Sequence, residues 1–251
     1  MSKKLTTTYI LRRLAEEKMS SFSASEFHVL FSLSMDRGYG ALRHLQDEGF
    51  IKKIARGRYV VTGGSGENLG LSFYIGTRLV EPCYVGFWSA LNFYGWTEQA
   101  PRTVFIANTR ASGRRRVEAG SFRLVRMKPR HFFGYTVERQ GPVEFPIADK
   151  QKAIVDSLWM PSCSGGTGEV NKALGAAVNE LSKETLVEYA LRMDSKSLCS
   201  RLGYLLERMN FDSSDLRGSG SAIYVKLDPA GPRRGRYDAK WRIVDNLGGL
   251  T

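Results

Sequence analysis

The chain has 251 residues, of which 42% are hydrophobic and 25% charged, and this balance excludes wholesale disorder. A total of 37 Lys and Arg against 25 Asp and Glu gives a net charge of +12, which is typical of proteins that meet nucleic acid, an anionic membrane or an acidic partner. No apolar run approaches about 18 residues, and no apolar segment follows the N-terminal lysines, so we expect neither a transmembrane helix nor a secretory signal.

The first 62 residues predict a small unit of three helices followed by a basic hairpin. Three signals define these elements: apolar residues at helical spacing, Ser or Thr before the helices, and Gly49 after the third helix. The predicted elements are helices over 8–19, over a short segment capped by Ser23 or Ser25, and over 37–48, with strands over 50–54 and 58–61. This order is typical of a winged helix-turn-helix, a DNA-binding unit.

The segment that follows this unit is small and polar. Residues 62–68 predict a flexible linker that few contacts cross, and we place the domain boundary there. The predicted domains are a DNA-binding winged helix-turn-helix over 1–66 and a mixed α/β domain over 67–251, which together make an α+β protein.

The second domain predicts alternating helices and strands. The predicted helices cover 69–79, 87–94, 148–159, 170–181, 183–193 and 196–209, and the strands cover 103–107, 121–127, 143–145, 222–227 and 240–244, with a further β position at Val137. Sequence repeats and long low-complexity segments are absent from this pattern.

The third helix carries the candidate residues that would read DNA bases. Stepping about 100° per residue from Leu42 and Leu45 puts Gly38 on the core side and leaves polar residues on the opposite face. An arginine there can bridge two acceptors of guanine, and the basic hairpin can contact phosphates. An ordinary solvated helix face would carry similar residues. The candidate DNA-binding residues are Arg37, Tyr39, Gly40, Arg43, His44, Lys52, Lys53, Arg56 and Arg58.

A second basic cluster lies between residues 110 and 130, where eight Lys and Arg face one acidic residue, Glu118. It predicts a surface that binds an anionic partner. Three kinds of partner remain open: DNA outside the winged helix, RNA or nucleotide, and an acidic face of a protein. A solvated loop is the alternative. The candidate residues are Arg114, Arg115, Arg116, Arg126 and Arg130.

Motifs for catalysis or for metal binding are not found. The three histidines lack cysteines or acids at ligand spacing, and the loop 165–168 lacks the lysine and hydroxyl of a phosphate-binding loop. Cys83, Cys163 and Cys199 are widely spaced, which favours reduced thiols in a cytoplasm. We therefore expect a cytoplasmic protein that is not an enzyme and holds no cofactor or metal.

Three segments together resemble the abortive-infection E antitoxin family (AbiEi). Residues 84–101 (YVGFWSALNFYGWTEQAP) are similar to the family's Y-x-G-x-W-S-A-L block that ends in T-E-Q-x-P. Residues 128–134 (KPRHFFG) and 147–156 (IADKQKAIVD) are similar to its K-x-x-x-F-F-G and A-D-x-E-K-A-I-x-D segments. Gln151 departs from the family's usual Glu. The resemblance covers residues 1–160, and the last 90 residues fit loosely.

The resemblance implies the antitoxin of a type IV toxin–antitoxin pair. Such a protein would bind double-stranded operator DNA, with inverted repeats and dimerisation on the DNA expected, and repress its own operon. It would also counteract a nucleotidyltransferase-like toxin functionally, without a stable complex. Trp88, Leu91, Phe93 and Asp149 can equally be structural residues of the second domain. A stand-alone winged-helix transcription factor and a nucleic-acid-binding accessory protein of an enzyme are the alternatives.

Overall fold

The computed structural model describes residues 5–62, 69–117, 120–140 and 143–248, and within these ranges the chain is a mixed α+β protein. Most of the predicted linker, residues 63–68, lies outside the described residues. Within the described ranges, none of the helices combines the length and apolar character needed to cross a membrane.

The N-terminal part, over the described residues 5–62, contains three helices and three short strands. They are α1 (Thr7–Glu16), β1 (Ser21–Ser23), α2 (Ala24–Phe31), α3 (Met35–Asp47), β2 (Ile51–Ala55) and β3 (Arg58–Val61). The three strands form an antiparallel sheet in the order β1-β3-β2. Buried apolar side chains from the helices and from one face of this sheet make a first hydrophobic core.

Local capping chemistry explains where these helices begin and end. Ser23, and not Ser25, caps α2: its hydroxyl accepts from the Glu26 amide at 3.1 Å, and the Glu26 carboxylate accepts from the Ser23 amide at 2.6 Å. The two bonds satisfy amides that a helix start otherwise leaves unpaired. Gly49, with φ +76°, follows α3 and turns the chain into β2, as predicted.

A six-stranded mixed sheet forms the centre of the remaining chain. Its strands are β4 (Cys83–Val85), β5 (Thr103–Asn108), β6 (Gly113–Val117), β7 (Gly120–Arg126), β8 (Tyr135–Gln140) and β9 (Val143–Ala148). Their order is β6-β7-β5-β4-β9-β8, so β6 and β8 are the edges. The β5–β7 and β4–β9 pairs are parallel, and the other neighbours are antiparallel.

Helices cover both faces of this sheet. The helices are α4 (Leu69–Thr77), α5 (Phe87–Phe93), α6 (Lys150–Trp159), α7 (Thr167–Ala177), α8 (Lys183–Arg192) and α9 (Lys196–Arg208). Helix α4 lies on the face of Ile106 and Phe122, where a side chain at Gly76 would collide with both. Helix α6 lies on the other face, where Tyr84 of β4 donates to Asp156, and the Phe105 amide of β5 donates to Ser89 Oγ of α5 at 2.9 Å.

A small third sheet closes the C-terminal part. It contains β10 (Val225–Lys226), β11 (Arg236–Asp238) and β12 (Ile243–Asp245), in the order β10-β12-β11. The predicted strand over 222–227 is therefore wrong except for its two residues in β10, and the strand over 240–244 begins only at Ile243. Trp241 packs against α9 so closely that a side chain at Gly203 would lie 2.1 Å from its ring.

Few contacts cross the boundary between the two parts, as expected, but those that do are partly buried. Ile54 and Val60 of the N-terminal hairpin belong to the main hydrophobic core, together with side chains of α4 and the six-stranded sheet. The Tyr74 hydroxyl of α4 also donates to Ser21 Oγ at 2.6 Å. The hairpin therefore packs with one face on its own helices and with the other on the rest of the molecule.

Candidate nucleic-acid interface

Helix α3 presents the predicted polar face to solvent. Its buried residues are Gly38, Leu42 and Leu45, the positions that the helical spacing placed on the core side. All of the helix residues proposed to contact DNA are exposed, namely Arg37, Tyr39, Gly40, Arg43 and His44. Two of them are cationic, and Arg43 lies in the middle of the helix.

A close contact between α2 and α3 fixes the position of this face. A Cβ at Gly38 would lie 2.1 Å from the His28 ring, so only glycine lets the two helices approach this closely. His28 is itself buried, with Nδ1 3.1 Å from Met35 Sδ and its ring edge-on to Tyr39 at 5.1 Å. His28 therefore packs inside this N-terminal unit.

Gly40 differs from Gly38 although both lie in α3. It is exposed, and a Cβ built on it would meet no atom within 4 Å. Glycine costs a helix interior stability compared with alanine. Packing within the described part of the chain therefore does not account for Gly40, whereas it does account for Gly38.

The basic hairpin divides its cations between two faces. Lys53 lies opposite Tyr59, whose side chain packs in the core shared with α3, and Lys52 lies opposite Val60, whose side chain packs in the main core. Both lysines are half-buried, while Arg56 in the turn and Arg58 are exposed. The structure thus brings Lys53 to the α3 side of the hairpin and turns Lys52 towards the rest of the molecule.

The charges of this surface are not neutralised locally. Over the described ranges, none of its arginines and lysines lies within ion-pair distance of a carboxylate. Hydrogen bonds from Ser23 lower the pKa of the Glu26 carboxyl, and the nearby charge of Arg58 contributes to this. The helix and the hairpin together form a cationic surface, which can attract an anionic polymer.

The second basic cluster is distributed differently from the prediction. Arg114, Arg115 and Arg116 lie exposed on the edge strand β6, which pairs antiparallel with β7, and Arg126 ends β7. Arg130 lies apart, in a 3-10 helix, where its guanidinium pairs with Asp194 at 3.3 Å.

Arg123 of β7 belongs to the same basic cluster, but it was not among the candidate residues of the predicted surface for an anionic partner. This residue lies directly opposite Arg114 in the β6–β7 pair, and it lines the same cavity as Arg114 and Arg126. Its alternation with Phe122 and Leu124, which are buried, places Arg123 on the opposite face of the strand.

The residues that carry the family resemblance meet in a buried polar network. The Lys152 ammonium lies 2.6 Å from the Asp156 carboxylate, and both side chains have no exposed surface. The Tyr84 hydroxyl donates to the same carboxylate at 2.7 Å, and the Phe133 ring lies 4.2 Å from the Lys152 nitrogen. Burial raises the pKa of both Tyr84 and Asp156, and Lys152 opposes the rise at Asp156.

Other motif residues also have structural contacts. Asp149 caps α6 by accepting from the Lys152 amide at 2.8 Å, and it also accepts from the Tyr189 hydroxyl at 2.9 Å. Leu91 is fully buried, and Trp88 and Phe93 pack partly buried against the main core. The segments 84–101, 128–134 and 147–156 therefore contribute to the fold of the second part, and the candidate contact residues lie elsewhere.

Comparisons with known proteins show a likeness in fold to a solved structure. No protein-family model matches the chain, and no curated protein matches it significantly. Among solved structures, the chain is similar to the RV2827C protein from Mycobacterium tuberculosis with a TM-score of 0.67 and 14% sequence identity. The match covers 98% of this chain and 94% of that protein, so the likeness extends over almost the whole fold.

Proposed function

We propose that this chain is a sequence-specific DNA-binding antitoxin that represses its own operon and counteracts a nucleotidyltransferase-like toxin. In this proposal residues 5–62 form a winged helix-turn-helix in which α3 enters the major groove and the hairpin contacts phosphates. The order α1, β1, α2, α3, β2, β3 supports this assignment, because a helix-turn-helix followed by a β-hairpin has the same order of elements.

The observation that carries the DNA-binding half is the exposed face of α3. Arg43 and His44 lie on that face, and Gly38 locks the helix against α2 in a fixed position. An α-helix fits the major groove, where an arginine can bind guanine through two hydrogen bonds. The unpaired cations of the adjoining hairpin supply the attraction to phosphates on which affinity depends.

The toxin-directed half is supported by the resemblance of residues 84–101, 128–134 and 147–156 to the AbiEi family. Each of these segments supplies a side chain to one buried network, so they form a single structural unit. The proposal places neutralisation in the part of the chain from residue 69 onwards, with no stable complex required.

Promoter repression tests the DNA-binding half. The gene's own upstream region is fused to a reporter, and full-length wild type is compared with Arg43→Ala and with Arg234→Ala, a matched control from an exposed loop of the C-terminal part. We expect repression by wild type and by the control, and loss of repression by Arg43→Ala at equal protein levels. Equal repression by all three proteins would overturn the assignment of α3.

Growth rescue tests the toxin-directed half separately. The neighbouring reading frame is expressed under an inducible promoter, alone and together with this protein. We expect growth arrest that wild type and Arg43→Ala both relieve, because the α3 variant retains the second part of the chain. A neighbour that encodes no nucleotidyltransferase-like protein, or an arrest that wild type fails to relieve, would favour a stand-alone transcription factor.

A further inference from the structure

The edge of the six-stranded sheet contains a cavity of about 460 Å³ that is lined by three arginines. Arg114 comes from β6, and Arg123 and Arg126 come from β7. The cavity lies between these strands and the segment after α6, where Met160 and Cys163 complete its wall. Its volume is within the range of sites that bind small molecules.

Two positively charged side chains of this cavity lie close enough to repel each other. Arg114 and Arg123 lie directly opposite each other across the β6–β7 pair, and like charges in that position repel each other. Over the described ranges, neither guanidinium has a carboxylate within ion-pair distance. A bound anion would relieve this repulsion.

The backbone around the cavity is firmly held. Strand β7 pairs along its length with β5 on one side and with β6 on the other. Asn108, at the end of β5, is fully buried, and its side chain bonds the backbone of Arg110 and Ala111 at 2.7 to 2.9 Å. The turn that leads into β6 is therefore fixed, and the arginines project from a rigid platform.

We infer that this cavity binds the phosphate chain of a free nucleotide, such as a nucleoside triphosphate. Planar guanidinium groups form paired hydrogen bonds with phosphate oxygens, and Arg114 and Arg123, which share one face of the sheet, can neutralise phosphate charges at one place. A phosphate chain concentrates its charges within one cavity, whereas a duplex presents its phosphates one at a time along a strand. The apolar side chains of Val125 and Met160 offer a surface for the sugar or base.

This site is independent of the proposed DNA-reading surface, since its three arginines lie on β6 and β7 and not on α3 or the hairpin.

Calorimetric titration of the full-length protein with ATP, with pyrophosphate and with adenosine tests directly whether the cavity binds a phosphate chain. We expect ATP and pyrophosphate to bind and adenosine to bind far more weakly, because the arginines recognise the phosphates.

Variants then assign the binding to this cavity. Arg114→Ser and Arg123→Ser should each weaken ATP binding about tenfold or more, as the loss of a charge-assisted contact predicts. Arg123→Lys should bind ATP with intermediate strength, because lysine keeps the charge but lacks the planar pair of donors. Arg234→Ser is the matched control and should bind ATP like wild type, and thermal melts of all variants check their folding.

Two results would overturn this inference. One is that ATP and pyrophosphate fail to bind wild type, or bind Arg114→Ser and Arg123→Ser as tightly as wild type. The other is that these variants lose affinity for a duplex while wild type ignores ATP, which would assign the arginines to a nucleic-acid backbone. An Arg43→Ala protein that loses operator binding yet still binds ATP would separate this site from the proposed function.

Discussion

The two glycines of α3 have opposite roles, and alanine substitution distinguishes them. Gly38→Ala would push a Cβ into the His28 ring, and overpacking of this kind costs about 1–3 kcal/mol. Gly40→Ala meets no neighbouring atom, and it should stabilise the protein by about 0.5–1 kcal/mol because alanine favours a helix interior. Urea unfolding of the two full-length variants measures both effects.

The same pair also tests the DNA contact. In our account the bare backbone at Gly40 lies against the groove, so Gly40→Ala should weaken operator binding even though it raises stability. A Gly40→Ala protein that is more stable and binds the operator like wild type would contradict close approach of the helix at this position.

The buried Lys152–Asp156 pair should be intolerant of single changes. Asp156→Leu leaves a buried ammonium without its counter-charge, and breaking a buried pair from one side costs about 3–5 kcal/mol. Lys152→Met combined with Asp156→Leu removes both charges, and it should cost clearly less than the sum of the single variants. Free energies of unfolding for the double-mutant cycle measure this coupling, and additive costs would contradict it.

His131 should make the protein less stable in mild acid. Burial lowers the pKa of its imidazole, and the nearby Arg130 and Lys152 charges lower it further. Arg130 Nε also donates to His131 Nε2 at 3.2 Å, which requires an unprotonated nitrogen there. Because the unfolded histidine, with a pKa of about 6.5, binds a proton more readily, stability should fall as the pH drops through that value.

Urea unfolding at about pH 7.5 and about pH 5.5 checks this dependence on both sides of the unfolded histidine pKa. His131→Gln should lose part of the decrease seen in wild type, because glutamine does not titrate. An identical decrease in wild type and His131→Gln would show that other groups cause it.

At the scale of elements, the hairpin predicts an asymmetry between neighbouring lysines. Lys53 lies on the α3 side of the sheet and Lys52 on the side that packs against the main core. Lys53→Ala should weaken binding to all duplexes alike and reduce the salt dependence by about one phosphate contact. Lys52→Ala is the matched control and should change binding little. Titrations at several salt concentrations measure both slopes, and equal effects would contradict this arrangement.

The elements also show what the sequence could and could not predict. The α8 and α9 boundaries agree within about one residue, because apolar spacing and Ser182 and Ser195 caps define them locally. Strands β1 and β4, with three residues each, were missed because so short a segment shows no alternation, and only pairing with distant strands makes them strands.

The candidate site was predictable only where its features depend on local sequence. The exposed face of α3 follows from helical geometry, which is local, and so the buried and exposed positions agree with the sequence analysis. Other features of the site depend on which elements become neighbours. These are the contact of Gly38 with His28, the orientation of Lys52 towards the main core, and the pairing of Arg114 with Arg123. A single sequence contains no local signal for such pairings.

At the scale of the whole molecule, the shared core predicts one cooperative unit. Val60 is fully buried in the main core although it belongs to the N-terminal hairpin. Val60→Ala should therefore lower the midpoint of a single unfolding transition of the full chain, by the cost of a small cavity. Calorimetry measures this. Two separate transitions, with only the first shifted by Val60→Ala, would show that the two parts unfold independently.

The most direct test of the central claim is equilibrium binding of the full-length protein to two duplexes, its own promoter sequence and a scrambled version, at one fixed salt concentration. Our account predicts that the promoter duplex binds at least about a thousandfold more tightly. Arg43→Ala should weaken that binding by about 1–3 kcal/mol while leaving the scrambled duplex nearly unchanged. Equal affinity of wild type for the two duplexes, or an equal loss on both in Arg43→Ala, would contradict base recognition by α3.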